Sequence, residues 1–178
     1  MKTVTEQLAQ YACYHRDRRN IITHLVGIPL IVLGIVTLLS RPVFFNIGAL
    51  SITPALLVTV AAVVYYIRLD TKLGVLMGAL LALCLWAGIN IAFAPTAVWL
   101  SWGIGMFVVG WGWQFIGHYF EGRKPAFVDD IVGLVIGPLF VVAEVVFMLG
   151  FRRNLRHQVE DRVAQLLPAE TSSQTAHL

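Results

Sequence analysis

Four stretches of this chain run for 20 to 22 residues without a single Asp, Glu, Lys or Arg: residues 21–40, 47–67, 73–93 and 96–117. A helix needs about 20 apolar residues to cross roughly 30 Å of hydrocarbon. Within lipid a helix satisfies its own backbone hydrogen bonds, so runs of this length predict spanning helices. Composition agrees: 58% of the 178 residues are hydrophobic and 13% charged, against about 45–50% and about 25% in soluble domains. The expected fold class is all-α, a polytopic membrane helix bundle with four spanning helices. A fifth apolar segment, residues 131–151, is interrupted by Gly133, Gly137, Pro138 and Glu144. Pro138 removes a helical donor and disfavours helix at Gly137, so this segment is expected to be broken or re-entrant near that pair.

Charge gives the orientation. Cytoplasmic loops are enriched in Lys and Arg. With the N-terminus inside, Lys2, Arg16, Arg18, Arg19, Arg68, Lys72, Arg123 and Lys124 all lie inside and only Arg41 lies outside. If the fifth segment enters and returns, Arg152, Arg153, Arg156 and Arg162 join the inner side, making twelve against one. A full crossing would leave eight against five. The expected layout is thus a cytoplasmic N-terminal segment (1–20), one membrane domain (21–151) and a polar C-terminal tail (152–178), frayed over 168–178. Such a chain belongs in a cell inner membrane if bacterial and in the endoplasmic reticulum if eukaryotic. Residues 1–20 lack the apolar centre of a signal peptide. Cys13 and Cys84 show neither a disulfide framework nor metal-type spacing. The net charge of +3 comes without an interleaved basic–aromatic surface, so no nucleic-acid partner is expected. No oligomeric state follows from the sequence.

Polar residues inside so apolar a chain are the functional signal, because such groups are costly in a membrane and face the bundle interior. In WGWQFIGHYFEGRKP, residues 111–125, Trp111, Gln114, His118 and Glu121 follow steps of three, four and three, which places them on one helical face. His15 and His24 are nine residues apart, about 900° of helical rotation, and would oppose each other on one continuous helix. RDRRN, residues 16–20, reads as a turn between them, with Asn20 as an N-cap. The bend lets both imidazoles face the same place. His15, His24 and His118 then share one membrane depth near the cytoplasmic face, with Glu121 beside them. Three convergent imidazoles with a carboxylate suit iron, zinc, copper or nickel. His157 and His177 are read as solvated. Two other readings fit the same residues. One is a transporter or proton relay through His24, His118 and Glu144. The other is a structural or assembly protein whose buried polar residues set helix packing.

YHRDRRNIITHLVGIP (residues 14–29), WQFIGHYFEGRKPAFVDD (113–130) and GPLFVVAEVVFMLGF (137–151) together resemble the fungal 2-hydroxy fatty acid dioxygenases, a family of small membrane proteins. The resemblance implies an Fe(II)-dependent enzyme that shortens a 2-hydroxy fatty acid by one carbon with molecular oxygen, as in phytosphingosine breakdown. It implies His15, His24 and His118 as metal ligands, with Asn20, Gln114, Glu121 and Glu144 in supporting or catalytic positions. Gly117, Pro125 and Asp129 also match the family pattern. One departure falls at the site: two residues separate His118 from Glu121, where fungal members have three. The shorter spacing favours Glu121 as a group that holds a neighbour, or pairs with Arg123 or Lys124, over a direct ligand. Substrate, oxygen and membrane lipid are the partners the resemblance implies.

Overall fold

Local signals in the chain account for most helix ends. Thr3 and Glu6 form a reciprocal capping box that starts α1, Val4–Cys13. The Asp17 side chain accepts from the Arg19 N–H and starts α2, Arg18–Ser40. Thr53 caps α3, Pro54–Leu69, with Pro54 at its first position. Asp70 ends α3 and caps α4, Thr71–Ala92, by accepting from the Leu73 N–H. The fifth helix, α5, spans Thr96–Glu121 and stops at Gly122, whose φ of 68° is left-handed. Then come α6, Val132–Met148, and α7, Arg153–Thr175. The computed structural model of the protein describes residues 2–48, 50–122 and 132–175, with side chains to residue 167.

Among the described residues the protein is all-α apart from one small hairpin, β1 (Phe45–Ile47) paired antiparallel with β2 (Leu50–Ile52). This hairpin corrects the second apolar run. Ile47 and Leu50–Ile52, which belong to that run, are strand residues, and α3 keeps 16 residues. Among the described residues, α2 and α4 are each long and apolar enough to cross a membrane. The bent pair α6–α7 would make a third if counted as one span. The expected four spans plus a fifth segment are therefore not all present as such. In α5, 26 residues long, five glycines and four tryptophans dilute the aliphatic content.

The break in the last apolar segment also lies elsewhere. Pro138 sits inside a continuous α6, where its ring costs one donor to the Leu134 carbonyl. The chain turns instead between α6 and α7, where Gly150 (φ 81°) and Arg152 (φ 54°) take left-handed conformations, and the two helix axes differ by 119°. Asn20, expected as the cap of α2, lies within its first turn because Asp17 takes that role.

Two kinds of packing hold the bundle. Helices α2 and α5 run antiparallel and meet through glycines. A Cβ on Gly27 would stand 2.8 Å from the Gly110 carbonyl oxygen, and one on Gly34 would stand 2.8 Å from that of Gly103. Small residues let membrane helices approach this closely. At the other contact, Leu8 and Tyr11 of α1, Tyr66 of α3, and Leu73 and Met77 of α4 share one core. Leu139 and Phe140 of α6 and Leu155 and Val159 of α7 complete it. Tyr66 Oη donates to the Val135 carbonyl at 2.7 Å, and Arg152 grips Asp70 with two bonds of 2.9 and 2.6 Å. Both ends of α6 are thus tied to residues 66–70, where α3 passes into α4. The polar flanks, α1 and α7, pack against each other, and α7 continues as helix into the stretch expected to fray. On the remaining surface Leu57, Val58, Val75, Leu83, Trp86 and Trp102 are among many exposed apolar side chains, as expected where the solvent is lipid.

Candidate metal centre

Three elements deliver the polar residues to one place. The turn after α1 carries His15, the first two turns of α2 carry Asn20 and His24, and the end of α5 carries Gln114, His118 and Glu121. The chain bends between α1 and α2 at residues 14–17, as the nine-residue spacing requires. All three imidazoles are buried, at 3%, 1% and 7% exposure for His15, His24 and His118. One ligand atom from each can be chosen so that all lie within 4.8 Å of one another. The ring centroids are 4.5 to 5.1 Å apart.

The hydrogen bonds around two of the rings state what the centre wants. His15 Nδ1 lies 2.8 Å from the Tyr11 carbonyl oxygen, and His24 Nδ1 lies 2.9 Å from that of Asn20. A carbonyl only accepts, so each Nδ1 carries the proton and each Nε2 presents a lone pair. These two Nε2 atoms face each other at 3.0 Å. Two lone pairs at that distance repel unless a cation lies between or beside them. Backbone carbonyls behind the ligating rings are the usual way such tautomers are held. The donor set therefore fits a divalent transition metal. Burial also pushes the His15 pKa down to about 4, against a smaller upward pull from the Tyr11 carbonyl, so this ring is neutral and free to ligate at neutral pH.

Glu121 faces the turn rather than the imidazoles. Its carboxylate accepts from the Arg16 N–H at 3.0 Å, the Asp17 N–H at 2.8 Å and Asn20 Nδ2 at 3.0 Å. It thus fastens the segment that carries His15 to the end of α5. Asn20 is fully buried, and its Oδ1 has no hydrogen-bond partner among the described residues. Gly117 leaves room for it, since a Cβ there would collide with the Asn20 and Thr23 side chains. Gln114, 5% exposed, also has an Nε2 without a partner among the described residues, and it lines a cleft beside His24 and His118. Arg123, Lys124, Pro125 and Asp129 lie outside the described residues.

Glu144 stands elsewhere. It is half-buried, and its charged neighbours are Arg156 and Glu160 of α7, so the alternative reading of a relay with His24 and His118 has no carboxylate from α6 beside them. His157 is 72% exposed and lies 3.6 Å from Glu160. Tyr11 is a residue the sequence reading missed. Its ring stacks on His15 with centroids 4.2 Å apart and planes 3° from parallel, and its side chain borders the same cleft. The signal was present: Tyr11 and His15 are four residues apart, one helical turn.

The model of a known family, described as 2-hydroxy-palmitic acid dioxygenase Mpo1-like, matches residues 1–149. This chain belongs to the Mpo1-like family. Among curated proteins, the Mpo1-like chain is similar to the 2-hydroxy-palmitic acid dioxygenase MPO1 of Saccharomyces cerevisiae (strain ATCC 204508 / S288c). They are 34% identical over 158 residues, covering 86% of each chain. No solved structure matches the Mpo1-like chain. Tyr11, the three histidines, Gln114 and Glu121 all fall inside the matched residues.

Proposed function

We propose that this protein is a membrane-bound, Fe(II)-dependent dioxygenase that shortens 2-hydroxy fatty acids by one carbon. The observation that carries this reading is the pair of Nε2 lone pairs, facing at 3.0 Å and backed by carbonyls, in a chain of a dioxygenase family. His15, His24 and His118 would hold the metal. Bound Fe(II) would supply a Lewis acid and a reductant for oxygen, with coordination positions left open by a three-histidine set. The remaining work belongs to the chain. The Tyr11 and Asn20 carbonyls fix the ring tautomers, and Glu121 keeps His15 in register with His118. Gln114 offers an amide to the carboxylate of the substrate. The apolar side chains beside the centre give the acyl chain a path away from the polar residues. We infer a multi-pass protein whose site end faces the cytoplasm, from the charge balance and from the packing of α1 against α7.

The reaction balances as 2-hydroxy acid plus oxygen giving the acid one carbon shorter, carbon dioxide and water. Purified protein loaded with Fe(II) should consume a 2-hydroxy fatty acid only in air and should accumulate the shorter acid. Metal analysis of the same sample should show iron. Loss of substrate under strict anaerobiosis, or full activity in protein stripped of metal, overturns the reading.

Tyr11 has a part in this scheme that can be separated from folding. Burial pushes its phenol pKa up, so the hydroxyl stays a donor at the head of the cleft. Tyr11→Phe keeps the ring stacked on His15 and removes only the donor. The expected result is unchanged iron content with kcat/KM reduced about 10-fold, the scale of one neutral hydrogen bond of about 1.5 kcal/mol. Unaltered kinetics would remove the hydroxyl from the site.

A further inference from the structure

The cleft beside the histidines has a direction. It measures about 290 Å³, at the lower end of the range for small-molecule sites, about 300–1,000 Å³. Its polar lining, Tyr11, His24, Gln114 and His118, belongs to the end of the bundle that carries the metal centre. From there the lining is apolar, following Ile28, Ile31 and Ile35 along α2 and Trp111 and Phe107 along the antiparallel α5, with Leu134 and Pro138 of α6 as the third wall. From His24 to Ile35 is eleven residues, about 16 Å at 1.5 Å per residue. Ile35 is 37% exposed, so the far end opens on the apolar outer face of the bundle.

We propose that this cleft is the acyl-chain site and that the α2–α5 groove gauges chain length. The ligand it fits is a long, unbranched acyl chain whose polar head lies at the histidines. This inference rests on the proposed function, since the head group is placed by that reading. The physical reason is the segregation of the lining: an amphipathic ligand bound the other way would bury its carboxylate against isoleucines, which costs far more than leaving it in water. Each added methylene gains contact only as far as the groove continues. A side chain that fills the groove partway should therefore penalise long chains and spare short ones.

The test uses full-length protein in lipid nanodiscs and saturated 2-hydroxy acids of graded length. Ile31→Trp blocks the middle of the groove, and Ile35→Trp narrows its open end. Val26→Trp is the control, on an α2 position 43% exposed and outside the cleft lining. Ile31→Trp should lower the ratio of kcat/KM for the longest acid to that for the shortest by about 10-fold or more, the scale of losing one apolar contact in a pocket. Ile35→Trp should act only on the longest acids, and Val26→Trp should leave the ratio unchanged. Should Ile31→Trp fail to fold, because Ile31 packs against Gly110, Ile35→Trp still decides. A second readout needs no turnover: a 2-hydroxy acid with a photoreactive group at its last carbon should label α2, α5 or α6 within residues 28–35, 107–111 or 133–138. Turnover with an unshifted length profile and labelling elsewhere overturns the groove. Labelling there without turnover leaves the groove standing and overturns the dioxygenase reading.

Discussion

Replacing His24 with alanine should strip the protein of iron and abolish oxidation of 2-hydroxy fatty acid. His24 is the ring most enclosed of the three, at 1% exposure, and its Nε2 stands 3.0 Å from that of His15. Removing it takes away one of the two lone pairs that would hold a cation. The loss should exceed the about 10–100-fold typical of removing a group behind a ligand. His15→Ala and His118→Ala should do the same. His157→Ala should do neither, because that ring is 72% exposed on α7. Iron content, rate and helical content measured together separate a lost ligand from a lost fold. A folded His24→Ala protein with full iron and full activity would end the three-histidine assignment.

Glu121→Gln should separate a ligand from a support. The carboxylate accepts from two backbone N–H groups and the Asn20 amide, and hydrogen bonds to charged groups are worth about 1.5–3 kcal/mol each. A glutamine has one acceptor oxygen, and its amide nitrogen would meet the N–H of Arg16 or Asp17 donor to donor. The turn would loosen, and His15 with it. The expected variant holds iron at saturating metal but turns over about 10–100-fold more slowly or binds iron that much more weakly. A variant that is folded yet iron-free at saturation would make Glu121 a ligand, giving three histidines and a carboxylate.

Much of the frame was legible because lipid-scale apolar runs leave few alternatives. The runs at 21–40 and 73–93 match α2 and α4 closely. The helical steps from Trp111 to Glu121 are real steps on α5. The errors fall where local chemistry competes with hydropathy. Residues 47–52 are as apolar as a helix, yet the Thr53–Pro54 cap starts α3 after them. Pro138 looked like the break, but a single lost donor is outweighed by the packing of α6 on α1 and α4, and the chain turns at Gly150–Arg152 instead.

The sequence by itself determined that the chain is a helical bundle with an apolar exterior. It also determined that His15 and His24 need a bend between them, and that Gln114, His118 and Glu121 share a face. These are properties of periodicity and run length, carried by neighbours along the chain. Only the tertiary structure decided which atoms meet. It turned Glu121 toward the backbone of residues 16–17, set Tyr11 against His15, and sent Glu144 toward Arg156 and Glu160. It also packed α1 against α6 and α7. Those pairings depend on helix rotation and on the close approach that glycines allow between α2 and α5. Rotation and approach are set by packing between segments 69 to 101 residues apart, from the Gly34–Gly103 contact to the Asn20–Glu121 bond, where periodicity along one helix carries no information.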